Sequence, residues 1–260
     1  MQFVYFHGQP GSPDELQLAG PKAFAGAALY APDRARDRPD LAIGPYLDHL
    51  TQAVLACYPD GSIRLIGFSM GAFIAAEVAL RLIELAPDRA VSLDLVSPAA
   101  PLGLGDFLPH MAGGSVFALA RDKPRLFGLA TSVQGWLART APGFLFAQVF
   151  ANPAGGDADL VRTLAFRTMI LGILKHATAR GARGYRREML AYVAQDPARL
   201  RGLNRPVRLW QGEADNWTPP AMAEALAAIL PEVRAFRRYA GLSHYSTLKA
   251  ALPEIIAGGG

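Results

Sequence analysis

The chain has 260 residues, 51% hydrophobic, 9% aromatic and 18% charged, with a formal net charge of +4. That length suits one α/β domain carrying an insertion, and the composition provides a large core and excludes a disordered chain. The uncharged runs are short or broken by Pro, Gly, Asn and Gln, as in Thr140 to Gly156, so no membrane span is expected.

From the N-terminus onward, short apolar runs alternate with longer helical patterns, which is the rhythm of a parallel sheet with helices on its faces. The first run, Gln2–Phe6, lacks a basic flank and ends at His7, too early for a signal peptide, so a cytoplasmic protein is expected. Further strands are expected at Ala27–Ala31, Ser62–Ile66, Val91–Val96, Pro206–Trp210 and Arg234–Tyr239, each ending in Gly, Pro or a polar residue. Open parallel sheets bind ligands beyond the carboxyl ends of their strands, so HGQPG, PDRARD, GFSMG, SPAAP, QGEAD and GLSH are the segments in which to seek chemistry.

Between Ser97 and about Ala194 the strand rhythm stops and helical patterns rich in Leu, Phe and Ala take over. Residues 1–98 and 195–260 are therefore expected to form the core domain, and residues 99–194 a helical cap or lid. The amphipathic stretch at 160–177 needs a partner surface, for which the active face of the sheet is the candidate. Among the apolar residues of the insertion, Phe107, Met111, Phe117, Phe127, Trp136, Phe144, Phe146 and Phe150 are candidates for a pocket wall. Cys57, the single cysteine, sits in an apolar helical pattern and reads as a packing residue. Nearly all cations are Arg, without a basic block interleaved with aromatics, so nucleic acid is not implied. The insertion Arg residues at 162, 167, 180, 183, 186 and 187 spread around helical turns rather than converging on a ligand. A small-molecule substrate is the expected partner, and the sequence leaves the oligomeric state open, a dimer included.

The strongest chemical signal is Gly67-Phe68-Ser69-Met70-Gly71, a G-x-S-x-G between the strand SIRLI and the helical run AFIAAEVALRLIEL. A strand turning abruptly into a helix leaves little room, so glycines flank a serine whose Oγ projects above the sheet. A serine hydroxyl needs a neighbouring base, itself oriented by an acid. Asp215 and His244 each follow a late strand, and the order Ser69, Asp215, His244 is that of the nucleophile-elbow arrangement. None of His7, His49, His110 and His176 follows the last strand. Glu213 and Asp94 rival Asp215 as the acid, and the turn chemistry favours Asp215. For an oxyanion hole, the glycines of HGQPG let backbone approach a substrate oxygen. The N–H groups of Gln9 and Met70 are the expected donors, whereas Pro10 has no N–H to give.

With HGQPG, GFSMG, GEAD and GLSH in this order and a helical insertion after the strand ending at Val96, the chain resembles the α/β-hydrolase superfamily over nearly its whole length. The resemblance implies a sheet of about six strands, mostly parallel and flanked by helices, in the order 2-1-3-4-5-6. It departs from the family in that two strands usually precede the HG loop, which here begins at residue 7. A serine at the elbow speaks against the alkyl-ester chemistry of dehalogenases and epoxide hydrolases, and leaves acyl transfer to water on an ester, thioester or lactone. That chemistry calls for no cofactor and no metal. The GFSMG spelling also looks like cofactor-free haloperoxidases and perhydrolases, and a helical cap looks like carbon–carbon bond hydrolases. A ligand receptor that keeps the triad without turnover is the alternative outside enzymes.

Overall fold

Each short apolar run becomes a strand of one sheet in the computed structural model, which describes residues 1–20 and 23–258. The strands are β1 (Gln2–Phe6), β2 (Ala28–Tyr30), β3 (Ile63–Phe68), β4 (Val91–Val96), β5 (Val207–Gly212) and β6 (Val233–Tyr239). All pair in parallel, in the order β2-β1-β3-β4-β5-β6. The expected ends shift by one or two residues where pairing decides them. β3 runs past Ile66 because Gly67 and Phe68 pair with Leu95 and Val96.

Side chains alternate across the pleat, so one strand serves two layers. Val4 and Phe6 of β1, Leu65 of β3, Leu93 and Leu95 of β4 and Leu209 of β5 pack with α1 (Ile43–Cys57), α2 (Gly71–Leu85) and residues that follow β4. Phe3, Tyr5, Ile66, Phe68, Val96 and Trp210 face the opposite way, onto the C-terminal helix. Arg64 of β3 and Asp94 of β4 are buried on that second side as an ion pair at 2.5 Å, and Asp94 also accepts from Arg208 at 2.8 Å and Trp210 Nε1 at 2.7 Å. Asp94 is thus occupied within the sheet.

Among the described residues, six α-helices lie between β4 and β5: α3 (Gly114–Asp122), α4 (Pro124–Thr140), α5 (Pro142–Val149), α6 (Asp157–Arg162), α7 (Leu164–Ala177) and α8 (Arg183–Val193). Helices α9 (Pro220–Ile229) and α10 (His244–Ala257) complete the core. Phe166, Met169, Ile170, Ile173 and Leu174 of the amphipathic α7 pack with Leu145, Phe146 and Phe150, and Leu18, Trp217 and Tyr245 from outside the insertion pack against the same cluster. Two expectations are corrected. Cys57 is exposed at the last position of α1, beyond the final turn that buries Val54. Trp136 and Phe144 are each 56% exposed on outward faces of α4 and α5, so they belong to no pocket wall. Among the described residues, no helix is long and apolar enough to cross a membrane.

Glycines in this frame make opposite demands. A Cβ on Gly71 would overlap the carbonyl oxygens of Phe6 and His7, whereas one on Gly172, in an exposed turn of α7, meets nothing within 4 Å. Gly71→Ala should therefore destabilise by about 3 kcal/mol or more, while Gly172→Ala should stabilise by about 0.5–1 kcal/mol through helix propensity. Denaturant unfolding of the two variants checks the opposed signs.

Candidate active site

The β3–α2 connection is as tight as its glycines imply. A Cβ on Gly67 would lie 2.7 Å from Ala72 Cα, so strand and helix backbones nearly touch across the turn. Ser69, at the apex, takes φ +54°, a left-handed conformation that a non-glycine residue adopts only when its surroundings enforce it. Those surroundings include a Ser69 N–H donating to the Val96 carbonyl at 3.0 Å and a Ser69 carbonyl accepting from Ala99 N–H at 3.1 Å.

Asp215 and His244 meet as expected. His244 opens α10, Asp215 lies in the turn after β5, and His244 Nδ1 donates to Asp215 Oδ2 at 2.9 Å. The carboxylate is saturated. Its Oδ1 accepts the N–H groups of Trp217 at 2.8 Å and Thr218 at 2.9 Å, and the Thr218 hydroxyl lies 3.0 Å from Oδ2. Thr218 Oγ1 is also 3.2 Å from His244 Nδ1 and 3.0 Å from the Ser97 carbonyl. One hydroxyl proton can serve only one acceptor at a time, so Thr218 donates to one of its two oxygen neighbours, and the single Nδ1–H, given to Asp215 at 2.9 Å, offers Oγ1 only the longer branch of a shared bond. Glu213, in contrast, is exposed and makes no bond to His244.

The imidazole lies between aromatic rings, with Phe68 4.6 Å and Trp217 6.2 Å away by ring centroids. That burial by itself pulls its pKa down and is the largest single influence. The charge and hydrogen bond of Asp215, with the charges of Asp157 and Glu15, outweigh it and leave His244 raised above its ordinary 6.5. Ser69 and His244 line the same cavity, although among the described residues no hydrogen bond joins Ser69 Oγ to the imidazole.

The HG loop curls beside the serine over a buried acid that the sequence reading missed. Glu15 Oε2 accepts the Gly8 N–H at 3.0 Å and the Tyr5 hydroxyl at 2.7 Å, and burial pushes this carboxyl up to about 7. His7 is also structural. Its Nδ1 donates to the Gly8 carbonyl at 2.7 Å and its Nε2 accepts the Arg34 N–H at 3.2 Å, while burial, aided by the Arg34 charge, keeps it neutral. Gly8 has thus committed its N–H. Those of Gln9 and Met70 donate to no acceptor among the described residues, which leaves two free donors on the loops flanking Ser69.

These groups open on a cavity of about 350 Å³ that is also lined by residues of α3, α4, α5, α7 and α8. Of the expected wall residues Phe117 and Phe150 line it, whereas Phe107, Met111, Phe127 and Phe146 are buried in the core clusters. Leu145, Ile170, Ile173 and Met189 supply further apolar wall. Among the described lining residues none is Asp, Glu, Lys or Arg. Also among the described residues, no group of three or more His, Cys, Asp or Glu is arranged to hold a metal ion.

Residues 3–253 match the family model described as the alpha/beta hydrolase family, and the chain belongs to that family. Among curated proteins, the polyketide synthase ThaQ of Burkholderia thailandensis is 31% identical over 198 residues, covering 75% of this chain; the chain spans only 8% of that much longer protein. Among solved structures, Est816, described as an N-acyl homoserine lactone degrading enzyme, superposes with a TM-score of 0.64 at 18% identity, over 100% of this chain and 93% of its own. A thermophilic esterase from Thermogutta terrifontis superposes with a TM-score of 0.68 at 17% identity, over 99% and 88%. At these identities the structural likeness establishes the shared fold.

Asp215 makes a prediction that needs no substrate. In wild-type protein the His244 imidazole should titrate above 6.5, and Asp215→Asn should move its midpoint down, because burial then acts unopposed by the strongest favourable charge. NMR titration of the imidazole protons, with His244 assigned from the resonance missing in His244→Gln, reads this directly.

Proposed function

We propose that the protein is a serine hydrolase that cleaves a carboxylic ester, thioester or lactone of a small to medium apolar acyl substrate, through an acyl-enzyme on Ser69. The observation that carries this reading is a serine in a left-handed turn sharing one cavity with a histidine whose Nδ1 is bonded to a buried carboxylate. As Ser69 Oγ attacks the carbonyl carbon, His244 Nε2 removes its proton, in a contact that tightens once substrate is bound. The tetrahedral oxyanion accepts the free N–H groups of Gln9 and Met70, an interaction that in related sites is worth about 10²–10³ in kcat per donor. Collapse expels the alcohol or thiol, to which His244 returns the proton. Water, deprotonated by the same imidazole, then attacks the acyl carbon, and as the acyl–Oγ bond breaks the imidazolium returns the proton to Ser69 Oγ and the acid leaves. Asp215 holds the tautomer that leaves Nε2 free to accept and stabilises the imidazolium. Residues 99–194 serve as the cap that shapes the acyl pocket.

Removing the nucleophile tests this most directly. Ser69→Ala should lower kcat by about 10³-fold to 10⁶-fold in a folded protein, and a fluorophosphonate should label Ser69 alone. Activity retained in Ser69→Ala, or labelling elsewhere, overturns the assignment. Asp215→Asn should cost about 10⁴-fold, with Glu213→Gln near wild type. Because the base must be neutral and His244 is raised above 6.5, kcat/KM for a nonionising ester should fall as pH drops through a midpoint above that value.

The cavity wall sets the acyl preference. With about 0.8 kcal/mol gained per buried methylene, kcat/KM should rise by about fourfold per carbon from acetate towards octanoate until the cavity is full. A succinate monoester, whose carboxylate would enter a wall without a cation, should be a poor substrate. An acetate or succinate optimum in the matched series contradicts the apolar acyl pocket.

A further inference from the structure

The first turn of α10 carries His244, and the group that ties that turn down comes from the insertion. Asp157, at the start of α6 and 1% exposed, accepts the Ser246 N–H on Oδ1 at 2.7 Å, the Ser246 hydroxyl on the same oxygen at 2.7 Å, and the Tyr245 N–H on Oδ2 at 3.1 Å. First-turn N–H groups lack partners within their own helix and are ordinarily taken by the residue just before it. That residue, Ser243, forms a capping box with Ser246, whose Oγ accepts the Ser243 N–H at 2.8 Å, and the short bond of the Ser246 N–H to Asp157 is added to it from outside. The helix that bears the imidazole is therefore anchored by a carboxylate 88 or 89 positions away in the chain.

The segment leading to Asp157 grips both loops of the His–Asp pair. Gly156 N–H donates to the carbonyl of Gly241, the first residue of the GLSH turn, at 2.9 Å. On the other side, Asn216 Nδ2, next to Asp215, donates to the Asn152 carbonyl at 2.9 Å. A Cβ on Gly155 would crowd Ala214 Cβ at 2.8 Å, and one on Gly156 would crowd Ser246 Cβ at 2.9 Å, so the fit leaves no slack.

We propose that Asp157 is a positioning residue for His244, through which the insertion sets the orientation of the imidazole relative to Ser69 and Asp215. This rests on the reading of His244 as the base. The charged groups facing the imidazole are Asp215 after β5, Asp157 on α6 and Glu15 under the HG loop, so the anchor also contributes charge to the base it holds.

Asp157→Asn separates positioning from simple support. The asparagine keeps one carbonyl oxygen for Ser246, opposes its NH₂ to the Tyr245 N–H and removes the charge. Expected are a fall in kcat of about tenfold with KM within about twofold, and a downward shift of both the NMR midpoint of His244 and the acid limb of kcat/KM. Asp157→Glu, which keeps the charge but moves it by one methylene, should lose kcat while retaining the raised midpoint, and serves where the asparagine variant does not fold. A lowered thermal midpoint with kcat per folded molecule and the His244 titration unchanged would show that Asp157 merely supports the fold, and would overturn the proposal. The two readings fail separately. Activity retained in Ser69→Ala removes the acyl-enzyme, whereas an inactive Ser69→Ala beside a normal Asp157→Asn and Asp157→Glu removes only the positioning role.

Discussion

Everything at this site depends on how closely a strand and a helix approach across the two residues between Phe68 and Gly71. Gly67 and Gly71 have no room for a Cβ, and Ser69 between them is driven to φ +54°. Such a conformation costs of order 1–3 kcal/mol and persists only when neighbouring bonds over-determine it. Here the neighbours are β4 and the chain that follows it, through Val96 and Ala99. The strain is thus held from the centre of a six-stranded parallel sheet, by β4 and the residues that directly follow it. On the proposed reading, a hydroxyl placed in this way would need little reorganisation to attack a carbonyl, which is how preorganised sites lower a barrier.

Around that turn, buried carboxylates act as fasteners. Glu15 ties the HG loop to β1, Asp157 ties the insertion to α10, and Glu188 of α8 holds Arg34 with Nη2 at 3.0 Å and accepts the Gln9 side chain at 2.8 Å. Each accepts two or more hydrogen bonds, the condition under which a buried carboxyl avoids most of its desolvation cost. Glu188 and Asp157 come from the insertion but close on the two loops that flank Ser69. Polar fasteners of this kind are directional, so they specify one seating of the helical layer on the sheet in a way that apolar contact alone does not.

Which parts of this were legible in the sequence follows from which constraints are local. GFSMG announces its own geometry, because only glycine satisfies the sterics on either side of Ser69 and the flanking strand and helix patterns are unambiguous. The positions of the six strands and of Asp215 and His244 were also readable, since each polar residue directly follows an apolar run. Strand ends were not, because pairing with a neighbour such as β4 decides them. Thr218 carried a faint local signal, a hydroxyl three residues after an aspartate in a turn. Asp157 and Glu15 carried none, since their partners are distant in sequence or belong to the backbone. Outward and inward apolar residues of α4 and α5 share one composition, so Trp136 and Phe144 could not be told from wall residues without the fold.

Charge and cavity chemistry are spatially separated in this protein. Residues 123–187 contain ten Lys or Arg against two Asp, one of them the buried Asp157, while the whole chain carries +4. Yet the described cavity wall holds no Lys or Arg. Exposed cations act through water and salt over a Debye length of about 8 Å, enough to raise the local concentration of an anion at the surface but too weak to offset the desolvation of a charge drawn into an apolar wall. An anionic group on a substrate is therefore tolerated, or even attracted, where it stays outside the cavity, and disfavoured where it must enter. On the proposed reading, an acyl substrate would lay a neutral acyl chain against Phe117, Phe150, Ile170 and Met189 and carry any negative charge on its leaving group.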